Sequence, residues 1–256
     1  MNATSRTGSL LSDLRAMPRP FWVLLLGTFI NRFGTFVMPF LTIYLSKRGY
    51  SFIDASYAIS SFGIGTLCGG MVGGWLADRI GRRNTIVLGT FAAALFYFLL
   101  HFAVTFPQIL LCVLFAGLSA GTYPPASNAL LADVVPEPLR VRAYSGLRVA
   151  MNAGFACGAA TAGFLAKYSF FWLFAGDAIT TVLYGVIALF ALPHGIRSAS
   201  ERGPWSEALS HIKQNRPFHA AFLSALLIAL VFSQFGTTYS AHVVSLGLTL
   251  DIGSLR

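Results

Sequence analysis

Residues Gly74 to Ile86 read Gly-Trp-Leu-Ala-Asp-Arg-Ile-Gly-Arg-Arg-Asn-Thr-Ile, with long apolar runs on either side. The carboxylate of Asp78 is followed closely by the guanidinium groups of Arg79, Arg82 and Arg83. No nucleophile or titrating base accompanies them, and a guanidinium stays charged at any working pH, so this set is suited to ion pairing rather than to proton or group transfer. Two more charges, Arg32 and Asp177, lie inside apolar runs, where a charged side chain costs roughly 2.5–3.5 kcal/mol on insertion scales. Counted from the same end of their runs, their depths differ by about 7–8 Å at 1.5 Å per residue. A long arginine side chain covers much of that gap, so the sequence predicts that Arg32 and Asp177 are coupled.

Other polar residues share helical faces with these charges. Asn31, Thr35 and Thr42 recur at helix-compatible spacing around Arg32, as do Ser119, Tyr123 and Ser127 in a later run, and Asn152 lies four residues after Arg148. Such stripes either line a cavity or tie packed helices together, at under about 2 kcal/mol for each bond. Gly65/Gly69, Gly70/Gly74, Gly117/Gly121 and Gly154/Gly158 are spaced for close helix approach. Pro39, Pro124 and Pro125 are expected to interrupt their helices.

The elements that position these residues are set by composition. Of 256 residues, 55% are hydrophobic and 11% charged, with a mean hydropathy of +0.68, which leaves too little polar surface to cover a soluble globule. The net charge of +9 is spread over short turns and forms no basic stripe, so nucleic acid is excluded as a partner and the lipid bilayer takes its place. Cys68, Cys112 and Cys157 fall inside apolar runs and offer no disulfide framework. Seven runs approach the roughly 20 residues needed to cross a hydrocarbon core: 20–45, 55–77, 84–104, 107–131, 142–166, 169–191 and 217–241. Of the 18 Lys and Arg residues, twelve fall on one side of this pattern, four on the other, and Arg32 and Arg148 within spans. That asymmetry predicts a cytoplasmic N-terminus, an uncleaved first span and an external C-terminus. The expected layout is a cytoplasmic segment 1–19, a six-helix bundle 20–191, a cytoplasmic linker 192–216 rich in Pro and Gly, a seventh span 217–241 and a short external tail 242–256.

The charged turn resembles the loop 2–3 signature of the major facilitator superfamily, Gly-x-Leu-Ala-Asp-Arg-x-Gly-Arg-Arg-x-x-Ile, matching at Gly74, Leu76, Ala77, Asp78, Arg79, Gly81, Arg82, Arg83 and Ile86. The resemblance implies an all-α integral membrane protein: a six-helix N-terminal bundle of that superfamily's type plus a seventh transmembrane helix. Gln234-Phe-Gly-Thr echoes Arg32-Phe-Gly-Thr, as expected of parallel repeats. The resemblance also implies a gate at the cytoplasmic face built from Gly74, Asp78, Arg79, Gly81, Arg82, Arg83 and Asp133. In that gate Asp78 would contact an eleventh span and an arginine would pair with Asp133. The sequence departs from two related motifs. Ala159 and Ala162 replace Pro and Gly of the fifth-span antiporter pattern, and Val113 stands where many proton-coupled members carry Arg.

The implied function is transmembrane movement of a small solute by alternating access in a bacterial inner membrane, with proton coupling and drug efflux as the finer expectation. Asn31, Arg32, Thr35, Tyr123, Asn152 and Asp177 are the expected solute or proton cavity. The alternative is a truncated or degenerate half-protein without transport of its own, acting at most as a membrane interaction partner, or completed by a second half or another copy. No enzymatic activity, cofactor or metal is expected, because no nucleophile elbow, P-loop or dinucleotide fingerprint is present and the five histidines are scattered.

Overall fold

The computed structural model of the chain describes residues 10–195, 215–220, 222–224 and 227–228. The expected seventh span, most of the linker and the internal repeat at Gln234 lie outside the described residues. Two units are distinguished, Met1–Ala199 and Ser200–Arg256. In the second, residues 216–220 are helical and Asn215 caps them by accepting a bond from the Phe218 N–H at 3.0 Å.

In the first unit a short helix α1 (Leu10–Arg15) precedes α2 (Arg19–Phe33), α3 (Val37–Lys47), α4 (Phe52–Arg79), α5 (Arg82–Phe102), α6 (Phe106–Val134), α7 (Arg140–Tyr168) and α8 (Phe170–Ala191). Local chemistry fixes several ends. Ser51 and Asp54 form a capping box at the start of α4, the Ser51 hydroxyl accepting from the Asp54 N–H at 3.2 Å and the carboxylate accepting from the Ser51 N–H at 2.9 Å. Thr105 and Gln108 do the same for α6. Gly81, at φ +93°, takes the left-handed backbone conformation that separates α4 from α5, which a residue with a Cβ adopts only under strain.

The expected first span is not one continuous helix. It breaks over Gly34-Thr35-Phe36, and Pro39 falls in the first turn of α3, where its missing N–H costs least. Pro124 and Pro125, by contrast, lie inside an unbroken α6, contrary to the expected interruption. Among the described residues five elements are long and apolar enough to cross a bilayer, with α2 and α3 counted together. The helix for the expected fifth span, α7, has 29 residues, but Arg140, Arg142, Arg148 and Asn152 hold its hydropathy below the others.

Helix α4 packs on α6, α6 on α5, α5 on α8, and α2 on both α7 and α8. The α4–α6 contact is close because Gly65, Gly69 and Gly73 meet the α6 backbone between Leu114 and Thr122, while Gly117 and Gly121 receive the α4 backbone at Phe62 and Thr66. Gly154 and Gly158 of α7 meet α2 at Phe29 and Phe33 in the same way. The expected Gly70/Gly74 pair is different: both face open space, since only every fourth residue from Gly65 stays on the α6 side.

Besides a small cluster of Phe36, Ala162 and Leu173, the core divides into two larger apolar clusters. One joins Leu41, Leu45, Ala58, Leu100, Ile109 and Phe174. The other, at the end bearing the Gly81 turn, joins Phe21, Leu24, Ile86, Leu130, Leu147 and Tyr184. Outward faces carry large apolar groups, Met71 at 80% and Phe190 at 82% exposure, as lipid contact requires. Cys68 and Cys157 also lie on exposed faces rather than in helix packing.

Candidate functional site

A buried polar layer is contributed by α2, α6 and α8, with Tyr123 and Tyr184 also packing in the second large apolar cluster. The Tyr123 hydroxyl donates to Asn31 Oδ1 at 2.5 Å, and the Asn31 amide donates to Thr181 Oγ1 at 3.2 Å. The Ser127 and Tyr184 hydroxyls share a bond of 3.0 Å, and the rings of Tyr123 and Tyr184 meet edge to face at 5.9 Å. These groups are buried, Asn31 at 6% and Thr181 at 1% exposure, so each needs a partner inside the protein.

Asp177 completes the layer. It is 3% exposed, and its Oδ2 accepts from the backbone N–H of Phe36 at 3.2 Å and of Val37 at 3.1 Å. The break in the first span leaves these N–H groups without helical partners, and a carboxylate at the N-terminal end of α3 satisfies them and complements the helix dipole. Small residues allow the approach: Gly34 lies against Thr180, and Gly176 against the Phe36 ring.

This corrects the expected Arg32–Asp177 ion pair. Arg82–Asp133 and Arg142–Asp13 are ion-paired, and no ion pair joins Arg32 to Asp177. Arg32 acts on Asp177 only through a longer-range Coulombic attraction. The physical reason is competition, because two backbone N–H donors fixed at the break already occupy the carboxylate.

The other expected cavity residues separate. Thr35 is half-buried and donates to its own helix at Asn31 O, 3.3 Å. Asn152 is exposed, on a face of α7 roughly opposite Gly154 and Gly158, and does not join the layer. The sequence reading missed Thr181 and Tyr184. The i, i+4 spacing of Asp177 and Thr181 was the available signal.

At the Gly81 end, Arg82 pairs with Asp133 and donates from Nη1 to Ala129 O at 2.7 Å, so one guanidinium ties α5 to the end of α6. Arg83 Nη2 lies 2.6 Å from His194 Nε2, where only the arginine has a proton to give. Gly195, φ +74°, packs beside Leu130 and the Arg82 side chain. Gly74 faces open space, Asp78 is half-buried and has a Coulombic interaction with Arg82, and Arg79 stacks over Trp75 at 5.0 Å. The pair is partly buried, with side-chain exposures of 14% and 12%. A double-mutant cycle of Arg82→Met and Asp133→Leu, read by thermal melting in detergent, will show a coupling of about 1–2 kcal/mol. Additive losses would mean that Arg82 acts only through Ala129. Among the described residues no three His, Cys, Asp or Glu side chains gather as a metal site requires.

The bundle thus combines a buried polar layer with an arginine–aspartate clasp at one end. Residues 24–255 match the family model Major Facilitator Superfamily, and the chain belongs to that family of membrane transporters. It is 30% identical over 249 residues to the uncharacterized MFS-type transporter YttB of Bacillus subtilis (strain 168), covering 93% of this chain and 61% of YttB. It is 24% identical over 228 residues to the quinolone resistance protein NorA of Staphylococcus aureus (strain MSSA476), covering 88% of this chain and 59% of NorA. The chain thus spans about three fifths of these relatives, 61% and 59% of their lengths. Its fold matches a peptide transporter POT in complex with sulfate at TM-score 0.63, 18% identity, 94% of this chain and 54% of that one. It also matches a D-xylose-proton symporter at TM-score 0.60, 17% identity, 80% of this chain and 53% of that one.

Proposed function

We propose that this chain supplies the N-terminal bundle, the linker and the seventh span of a small-solute transporter that works by alternating access, coupled to protons and oriented with its N-terminus in the cytoplasm of a bacterial inner membrane. The observation that carries this reading is the clasp of Arg82 and Asp133 beside Asp78, set at one end of a bundle whose middle layer is polar. In this reading the clasp holds the end of α6 against the start of α5, and Asp78 is the contact point for a second bundle. Rocking of two bundles exposes the mid-membrane groups to one side at a time. Similarity to NorA favours drug-like solutes and export.

The test is movement of norfloxacin across proteoliposomes under an imposed pH gradient, with the chain alone and with the C-terminal half of YttB supplied in trans. Saturable, gradient-driven movement that Asp78→Asn reduces at least tenfold is the expected result. Gradient-independent leakage, or movement indifferent to Asp78→Asn, would overturn the reading.

A further inference from the structure

The Asp177 arrangement leaves Arg32 over. Thirteen residues beyond Arg19, it stands about 20 Å along the helix axis, far from either membrane face. It is half-buried, and its side chain makes no hydrogen bond or ion pair with the described residues. Its neighbours on α2 divide by face. Gly27 and Asn31 are buried against α8, while the backbone at Phe29 and Phe33 meets the glycines of α7. Thr28 and Thr35 run along the flank between those two packed faces, Arg32 borders it with its Cβ against Gly154 of α7, and all three are half-buried.

The hydroxyls on this flank are already engaged. Thr35 donates to Asn31 O, and Thr28 is hydrogen-bonded to Tyr184. The Tyr123 proton goes to Asn31. No carboxylate among the described residues forms an ion pair with the guanidinium: Asp177, held by the Phe36 and Val37 N–H groups, attracts it only at longer range, and Asp13, Asp54, Asp78, Asp133 and Glu137 lie at or near helix ends. What remains at mid-span is a single forked donor with a full positive charge.

We infer that Arg32 is the anchor of an anion subsite, so that the solute carries a carboxylate or a similar negative group. The inference rests on the transport reading and gives it a substrate class. A carboxylate meets the guanidinium with two parallel charge-assisted bonds, recovering part of the cost of holding that charge in the membrane. A cationic solute meets repulsion at the same place.

The probes are naphthalene-2-carboxylate, the neutral naphthalene-2-carboxamide and 2-naphthylmethylammonium, three ligands of like size and different charge. Binding is measured by calorimetry to the chain in phosphatidylcholine nanodiscs. The carboxylate is expected to bind saturably and at least about tenfold more tightly than the amide. Arg32→Gln should abolish that preference while leaving amide binding unchanged, and Arg32→Lys, which keeps the charge if the glutamine variant folds poorly, should retain it. Preference for the ammonium probe, persistence of the carboxylate preference in Arg32→Gln, or no carboxylate binding would each overturn the inference. None of these touches the transport reading, which stands or falls on the norfloxacin assay and Asp78.

Discussion

Asp177→Ala will destabilise the bundle by about 2–4 kcal/mol, because it strips the acceptor from two buried N–H groups that have no water to turn to. Phe36 keeps a contact of 2.7 Å to Gly34 O, so the heavier loss falls on Val37, whose N–H has no other acceptor among the described residues. Asp177→Asn retains a side-chain oxygen at the same place and will lose less than half as much. Thermal melting of the purified chain in detergent, followed by fluorescence-detected gel filtration, measures both. The same experiment separates capping from charge pairing. With Arg32→Gln as the second arm of a cycle, the losses will add to within about 1 kcal/mol, as expected of residues not in direct contact. A larger coupling would restore the ion pair in place of the cap.

The second large effect falls on the α4–α6 seam. A Cβ at Gly69 would run into the backbone of Leu118, and backbone cannot rotate away as a side chain can. Gly69→Val will therefore push the helices apart and cost at least about 3 kcal/mol, at the upper end for overpacked cores. One residue along, Gly70 faces open space, and Gly70→Ala will be neutral or will gain up to about 1 kcal/mol from helix propensity. The yield of monodisperse protein for the two variants checks this contrast. Equal behaviour would mean that the seam is not close-packed.

The bundle was legible in the sequence because apolar run length and the spacing of turn residues are local properties. The Gly81 turn and the Arg82–Asp133 clasp were reached through the family signature, whereas the capping boxes at Ser51 and Thr105 were local signals that the sequence reading did not take up. What periodicity misses is which of two adjacent glycines faces a neighbour, since Gly69 and Gly70 differ only in rotation about an axis whose orientation is set by packing. The use of Asp177 was less accessible still. Charge complementarity pointed to Arg32, but backbone donors compete for a carboxylate as side chains do, and those donors exist only because the helix breaks at Gly34-Thr35-Phe36. Pro39 signalled a disturbance nearby without showing which groups it would free. Asn152 was placed in the cavity on its spacing from Arg148, and the α7 packing face then fell on the other side.

The break in the first span also orders events in time. Its two pieces of 15 and 11 residues measure about 22 and 16 Å, so neither alone crosses a hydrocarbon core of roughly 30 Å. The acceptor that stabilises the join lies 140 and 141 residues later in the chain. At ribosomal speeds of about 5–20 residues per second, the first span waits roughly 7–28 s before Asp177 is even synthesised. During that interval Pro39, which has no N–H to give Thr35 O, still disfavours a continuous helix, but the Phe36 and Val37 N–H groups lack their carboxylate acceptor. The capped join is thus a late product of biogenesis, completed when α8 enters the membrane and docks, and a nascent chain arrested before that point carries a first span whose freed N–H groups are uncapped.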